Sequence, residues 1–307
     1  WALTAPVGRP ITTGPIVSPP ANSDADMPTL SVTLSVTDTA TGLTSTLTGT
    51  INVVTDAVID APSVNAQDVI GTEDVDIPLN ITVSRGQDTV DNSEVLSNIT
   101  IAGVPAGFTL SAGTFDAGTG LWTLTPAQLV GLTMKAPANY SDLTGNIVLT
   151  VSVTDTETNL SGGEFDTTNN TATATDTMVV KITPVADEPD LAVSLSATAN
   201  TIDEDTSVKM FIQSALKDTD GSEQLTVTVS GIAAGWTVVD SLGAGWVYNA
   251  GANTWTMTLP VGVTSFSGEL TLTPPVNSDA DLNGILVTAT ATELANGATA
   301  TKSQTVD

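Results

Sequence analysis

The chain has 307 residues, with 34 acidic side chains against 7 basic ones, a formal net charge of −27, and neither histidine nor cysteine. That charge repels nucleic acid and anionic lipid. The missing residue types remove Ser-His-Asp and Cys-His catalysis, disulfide cross-links and soft-metal ligands, and leave only hard oxygen donors.

Hydrophobic residues make up 40% of the sequence, enough for packed cores, so the acidity belongs to folded domains whose natural counter-charge is a divalent cation. The chain opens on Trp1 without a methionine or a signal-like segment, and no apolar run reaches the length of a membrane span. It reads as an excerpt from the interior of a longer secreted protein, with no direct membrane insertion.

Trp1 is followed by Pro19-Pro20, Asn22-Ser-Asp-Ala-Asp26 and an alternating strand from Leu30 to Asp38. Asp56 and Asp60 then lead into Pro62. The same order returns in the middle of the chain: Trp122, Pro137-Ala-Asn139-Tyr-Ser-Asp142, a strand from Ile147 to Asp155, and Asp187-Glu-Pro189-Asp190. It returns again as Trp255, Pro274-Pro275, Asn277-Ser-Asp279-Ala-Asp281 and a strand from Ile285 to Glu293. The copies lie roughly 120 to 140 residues apart, the length of a domain with its own core and too long for a solenoid repeat.

Period-two alternation of Val, Leu and Ile with Thr and Ser runs through every copy, punctuated by Asp220-Gly221, Asn283-Gly284 and similar turns, without amphipathic helices. The reading is all-β: tandem immunoglobulin-like or cadherin-like β-sandwich domains in an elongated array. The Asp-x-Pro stretches mark the boundaries. Residues 1–60 are the C-terminal half of one repeat, 61–187 a complete repeat, and 188–307 a nearly complete one. A half-sandwich exposes strand edges and an apolar face. Either upstream residues complete it, or a neighbouring copy does so by strand donation, which would make the chain a filament protomer.

Acidic clusters recur with the repeats. The last repeat carries Glu204-Asp205, Asp218-Thr-Asp220-Gly-Ser-Glu223, and Asp279 with Asp281; the middle one carries Glu73-Asp74, Asp91-Asn-Ser-Glu94 and Asp142; Asp60, Asp187 and Asp190 sit in the linkers. In Asp218-x-Asp220-Gly221, alternate residues present oxygens to one centre while glycine permits a sharp bend. Carboxylates converging on a domain end require a cation, and Ca2+ takes 6 to 8 oxygens at about 2.3–2.6 Å. Against this stands the ordinary fitness of Asp, Asn and Gly for turns.

Glu204-Asp205-Thr206 at a domain start, Asp218-Thr-Asp-Gly-Ser-Glu223, Gly231-Ile-Ala-Ala-Gly235 with its parallel Gly103-Val-Pro-Ala-Gly107, the Asn-Ser-Asp-Ala-Asp element and the Val185-Ala-Asp-Glu-Pro189 linker together resemble the tandem Ig-like or cadherin-like repeats of large bacterial RTX adhesins, the extender region of biofilm-associated surface proteins. The resemblance implies an extracellular stalk at the bacterial cell surface, stiffened by calcium, whose partners are neighbouring repeats of the same protein; strand donation to the half repeat would add other copies in a filament. The glycine-rich RTX nonapeptide is absent from this sequence. Trp236, Trp246 and Trp255 raise the alternative of a glycan- or protein-binding module. An enzyme is disfavoured by the repetition itself.

Overall fold

The computed structural model describes residues 2–5, 9–12, 14–86, 93–158, 166–197 and 201–307. The described residues form 23 strands, two short 3-10 turns and no α-helix. The fold is all-β, as the alternation requires: β-branched residues stand well on a pleated surface, and Thr serves the wet face while Val, Ile and Leu serve the dry one.

The first two strands, β1 (Leu30–Thr37) and β2 (Thr44–Ile51), form a hairpin. The middle segment contributes β3 (Ser63–Ala66), β4 (Val69–Thr72), β5 (Ile77–Pro78), β6 (Ile81–Ser84), β7 (Glu94–Leu96), β8 (Ile99–Ala102), β9 (Thr109–Leu110), β10 (Thr114–Asp116), β11 (Leu121–Leu124), β12 (Thr133–Lys135), β13 (Asp142–Glu157) and β14 (Thr171–Thr183). Its large sheet runs β10-β11-β8-β13-β14-β4, with β7 also on β13, and the small sheets β5-β12-β9 and β3-β6 complete the sandwich. The last segment contributes β15 (Asp190–Leu195), β16 (Val208–Ala215), β17 (Glu223–Ser230), β18 (Thr237–Val239), β19 (Val247–Asn249), β20 (Thr254–Thr258), β21 (Ser265–Thr273), β22 (Ile285–Glu293) and β23 (Thr299–Val306). Its sheets are β15-β16-β21-β18 and β19-β20-β17-β22-β23.

Each sandwich has its own core. One is built from Ile77, Ile99, Ile101, Leu124, Met134, Leu149, Val151, Met178 and their neighbours. The other gathers Met210, Ile212, Leu225, Val227, Val229, Leu270, Leu272, Val287 and Ala289. Both are dry, and burying each such side chain contributes about 1.5–3 kcal/mol. Strand β17 shows the logic most cleanly, since Leu225, Val227 and Val229 are fully buried while the residues between them reach the surface.

Three repeated details position the domain ends. The first is the asparagine of the recurring motif: Asn22, Asn139 and Asn277 all take φ near +56, the left-handed region that Asn tolerates in turns. The backbone N–H of Asn139 donates to Asp74 Oδ1 at 3.0 Å, and that of Asn277 to Asp205 Oδ1 at 2.7 Å. Asp74 and Asp205 are themselves left-handed, at φ +58 and +61. The second detail is a closing bond in each long hairpin, in which an acidic residue donates its backbone N–H across the turn: Asp38 to Leu43 O, Glu157 to Asn170 O and Glu293 to Ala298 O, at 2.8–2.9 Å.

The third is a close approach. Gly103 (φ +87) and Gly231 (φ +85) leave each repeat's second inner strand just where a neighbouring backbone presses in, so that a Cβ would sit 2.2 Å from Val148 O and 2.6 Å from Gly284 O respectively. These contacts set the true correspondence between the sandwiches: Leu149 stands where Ile285 does. The sequence pattern pairs Ile147 with Ile285 instead, two residues out of step, because alternation alone fits either phase.

The first hairpin departs from the expectation of one buried and one wet face. Apart from Leu30, every residue of β1 and β2 is exposed, and no described strand bonds to either outer edge.

Replacement of Gly103 by alanine is expected to cost more than about 2 kcal/mol in urea unfolding, because positive φ and a backbone clash coincide there. At Gly131, where φ is +71 but the space is open, the same change should cost only about 1 kcal/mol. Equal costs at the two positions would refute the close-approach account.

Candidate metal centre

At the start of β17, Glu223 lies directly across the ladder from Glu293 at the end of β22. In the middle sandwich Glu94 on β7 lies directly across from Glu157 on β13. All four are buried, at 0–3% exposure. Like charges placed opposite each other destabilise a sheet, and burial multiplies the cost. The arrangement nevertheless occurs in both sandwiches.

The linkers fasten to these pairs in the same way. The backbone N–H of Asp60 donates to Glu94 Oε1 at 2.7 Å, and that of Asp187 to Glu223 Oε1 at 2.8 Å. Each Asp-x-Pro linker therefore leads into its sandwich over a buried glutamate.

The second junction assembles carboxylates from both sides. From the middle sandwich comes Glu73, 3% exposed, which accepts the backbone N–H of Val185 through Oε1. From the last sandwich come Glu223, Glu293 and Asp218, the last 2% exposed. Ser222 Oγ donates to Asp218 Oδ2 at 2.9 Å and lies 3.2 Å from Glu293 Oε1. Asn296 Nδ2 donates to Pro184 O at 2.9 Å and ties the linker down. Glu73, Glu223 and Glu293 thus each have one oxygen engaged. The other oxygen of each, Oε2, is buried with no hydrogen-bond partner. Such orphaned carboxylate oxygens are costly unless a cation meets them.

Electrostatics registers the crowding. Burial, and then the charges of Glu293, Asp218 and Asp74, push Glu73 up to about 7. Burial, with Glu293, Asp218 and Asp187 beside it, raises Glu223 to about 7 as well. Glu293 is raised by burial and by Asp218, Asp220 and Asp187, and Asp187 by burial, Asp74 and Asp218. The fields of two sandwiches and their linker overlap on these groups. Among the described residues, no three carboxylates stand close enough to coordinate one ion outright.

The remaining sequence-derived candidates fall in several settings. Asp220 is exposed and accepts the backbone N–H of Ser222 at 2.7 Å. Asp74 and Asp205 hold the asparagine turns, while Asp142 accepts the N–H and hydroxyl of Thr144 in a turn of its own at 2.8 and 2.5 Å. Asp190 forms a surface ion pair with Lys217 at 2.6 Å. Glu204, Asp279 and Asp281 are exposed and line a cavity of about 510 Å³ at the far end of the last sandwich. Asp60 accepts Asn22 Nδ2 at 3.2 Å. Asp91 lies outside the described residues.

Glu293 and Glu157 escape a reading of composition and motif. Their signal is faint: an alternating Thr strand that ends on an acid, repeated in each copy. Asp155 carries that signal in the middle copy and is also fully buried, where Oδ2 accepts the N–H of Gly86 at 3.2 Å. The structural counterpart of Glu293 is Glu157, two residues further on.

No protein-family model and no curated protein matches the sequence. Among solved structures, the chain overlaps the major pilin subunit BcpA of Bacillus cereus at 11% identity, over 80% of this chain and 68% of that one, with a TM-score of 0.32. It overlaps the collagen adhesin of S. aureus at 10% identity over 81% and 92%, with a TM-score of 0.22. It also overlaps a β-glucuronidase of Parabacteroides merdae at 12% over 80% and 24%, with a TM-score of 0.18. Likeness at that level carries no functional argument.

The raised glutamates fix a pH dependence. An acid whose folded-state pKa exceeds its unfolded value binds protons more readily when folded, so its contribution is present below the unfolded pKa and is lost as pH rises through the folded one. In chelator, stability should fall as pH rises from about 4.5 to about 7, by on the order of 3 kcal/mol for each fully shifted glutamate. Glu223→Gln should flatten that slope in thermal melts. A flat or rising slope in the native chain would contradict the burial of these charges.

Proposed function

We propose that the chain is a stalk segment of a secreted bacterial surface adhesin or extracellular filament, whose successive β-sandwiches are locked end to end by calcium at their junctions. The observation that carries this reading is the triad Glu73, Glu223 and Glu293: three buried carboxylates from two sandwiches, each anchored through one oxygen and orphaned at the other. Asp218 and Asp187 would complete the set, with Asp220 and Asp74 at its rim. The donors are all hard oxygens, which suits calcium. The ion would neutralise the cluster and draw the two sides of the junction together.

The mechanism is linkage. An ion that binds only the folded, docked junction stabilises it by about 2.7 kcal/mol at a hundredfold excess over Kd. Metal requires the ionised carboxylates, so binding releases the protons that Glu73 and Glu223 otherwise hold near neutrality.

The tryptophans fit a structural part as well. Trp246 is 8% exposed and packs edge-on against Phe266 at 5.7 Å. Trp255 is covered by Tyr248 at 5.1 Å, as Trp122 is by Phe115 at 5.6 Å. A Trp under an aromatic lid, repeated in both sandwiches, supports packing over a dedicated sugar platform.

Calcium in place of EDTA should raise the melting temperature and narrow the spread of interdomain angles seen by X-ray scattering. In Glu293→Gln the calcium-dependent part of both effects should shrink while the cores stay folded. Identical melts and scattering with and without calcium would reject the proposal.

A further inference from the structure

The sequence holds two Asn-Gly pairs, Asn283-Gly284 and Asn296-Gly297. Asparagine followed by glycine is the pair most open to deamidation, because the amide nitrogen of a residue without Cβ reaches the preceding carboxamide unhindered. The two pairs sit in different company. Asn296 lies in the turn between β22 and β23, where its exposed carboxamide is held at both ends: Oδ1 accepts the N–H of Ala298 at 2.8 Å, and Nδ2 donates to Pro184 O of the linker at 2.9 Å. The nitrogen that would attack it is engaged too, since Gly297 N–H donates to Glu293 O at 2.8 Å. In the other pair the described hydrogen bonds hold only the glycine, whose N–H donates to Asp307 Oδ1 at 2.5 Å.

Deamidation of Asn296 requires its carboxamide to leave both partners. Gly297 N, its proton lost to solvent base, attacks Asn296 Cγ; the new C–N bond closes a five-membered imide, the Cγ–Nδ2 bond breaks, and Nδ2 departs as ammonia with a proton from water. Water then opens the ring to aspartate or isoaspartate. The net change consumes one water and releases one ammonia, without oxidation or reduction. The atom that departs is the one that ties the linker to the last sandwich. The carboxylate left behind sets an acceptor against an acceptor, Pro184 O, and adds a charge to the turn that begins at the buried Glu293.

We infer that Asn296 is a deamidation site guarded by the docked linker, and that its conversion unfastens the junction between the middle and last sandwiches for good. The reaction needs only water, so the pair acts as a one-way timer. A docked junction protects its own latch, and an undocked one loses it. The inference rests on the bond between Asn296 and Pro184, and holds whether or not an ion occupies the junction.

The test incubates the full chain at mildly alkaline pH and follows the amide-to-acid mass gain at each Asn-Gly pair by peptide mapping. Asn296 should convert at least about tenfold more slowly in the folded chain than in guanidinium chloride, where the two pairs should react at similar rates. Val185→Pro, which removes the linker N–H bound to Glu73 and leaves the turn intact, should speed conversion of Asn296 but not of Asn283. Asn296→Asp, the reaction product, should speed hydrogen exchange of the Asp187 amide on Glu223 by at least about tenfold, and Asn283→Asp should leave it unchanged. The inference is overturned if Asn296 converts equally fast folded and unfolded, or if Val185→Pro leaves its rate as it was. It is equally overturned if Asn296→Asp does not alter exchange at Asp187, or alters it no more than Asn283→Asp does.

Discussion

Two glutamates facing each other across a β-ladder, inside the protein, are the constraint around which the junctions are arranged. Where both members of such a pair are ionised, the repulsion is offset by hydrogen-bond donors, such as Ser93 Oγ on Glu157 and the N–H groups of Asp60 and Asp187, by protons or by a cation. The chain uses the pair twice, Glu94 with Glu157 and Glu223 with Glu293, and each time hangs the incoming linker on it through the N–H of an aspartate. Stability, linker geometry and charge are therefore not separate properties here. Whatever neutralises the glutamates also fixes the path by which one sandwich leads into the next.

The three long hairpins show one device in different company. The ladder, its closing turn and the period-two alternation are alike in β1–β2 and β22–β23, yet one sheet face is dry and the other wet. The hairpin is therefore set by local alternation and its turn, whereas burial is conferred by the strands that arrive from elsewhere.

The strands, the sandwich class and the repeat order were legible because period-two alternation and recurring motifs are local signals. Asp218 and Glu223 were legible too, since Asp-x-Asp-Gly carries its own geometry. Glu293 and Glu157 were not, because their meaning depends on which residue lies opposite them, and register is a property of the folded ladder. The Asn-Ser-Asp-Ala-Asp element is visible as a repeat, but the turn made by its asparagine depends on an aspartate far away in the chain. Asn277 adopts the left-handed turn that Asp205 holds, while Asp279 and Asp281 remain at the surface. Asp190 carried the same charge as its linker neighbours, and only the fold reveals that Lys217 claims it.

The most direct measurement is an anomalous-difference map from crystals grown in millimolar calcium. The account predicts a peak between the middle and last sandwiches, bounded by the orphaned oxygens of Glu73, Glu223 and Glu293. Protonated or water-bound glutamates at that junction, with no anomalous signal, would contradict it.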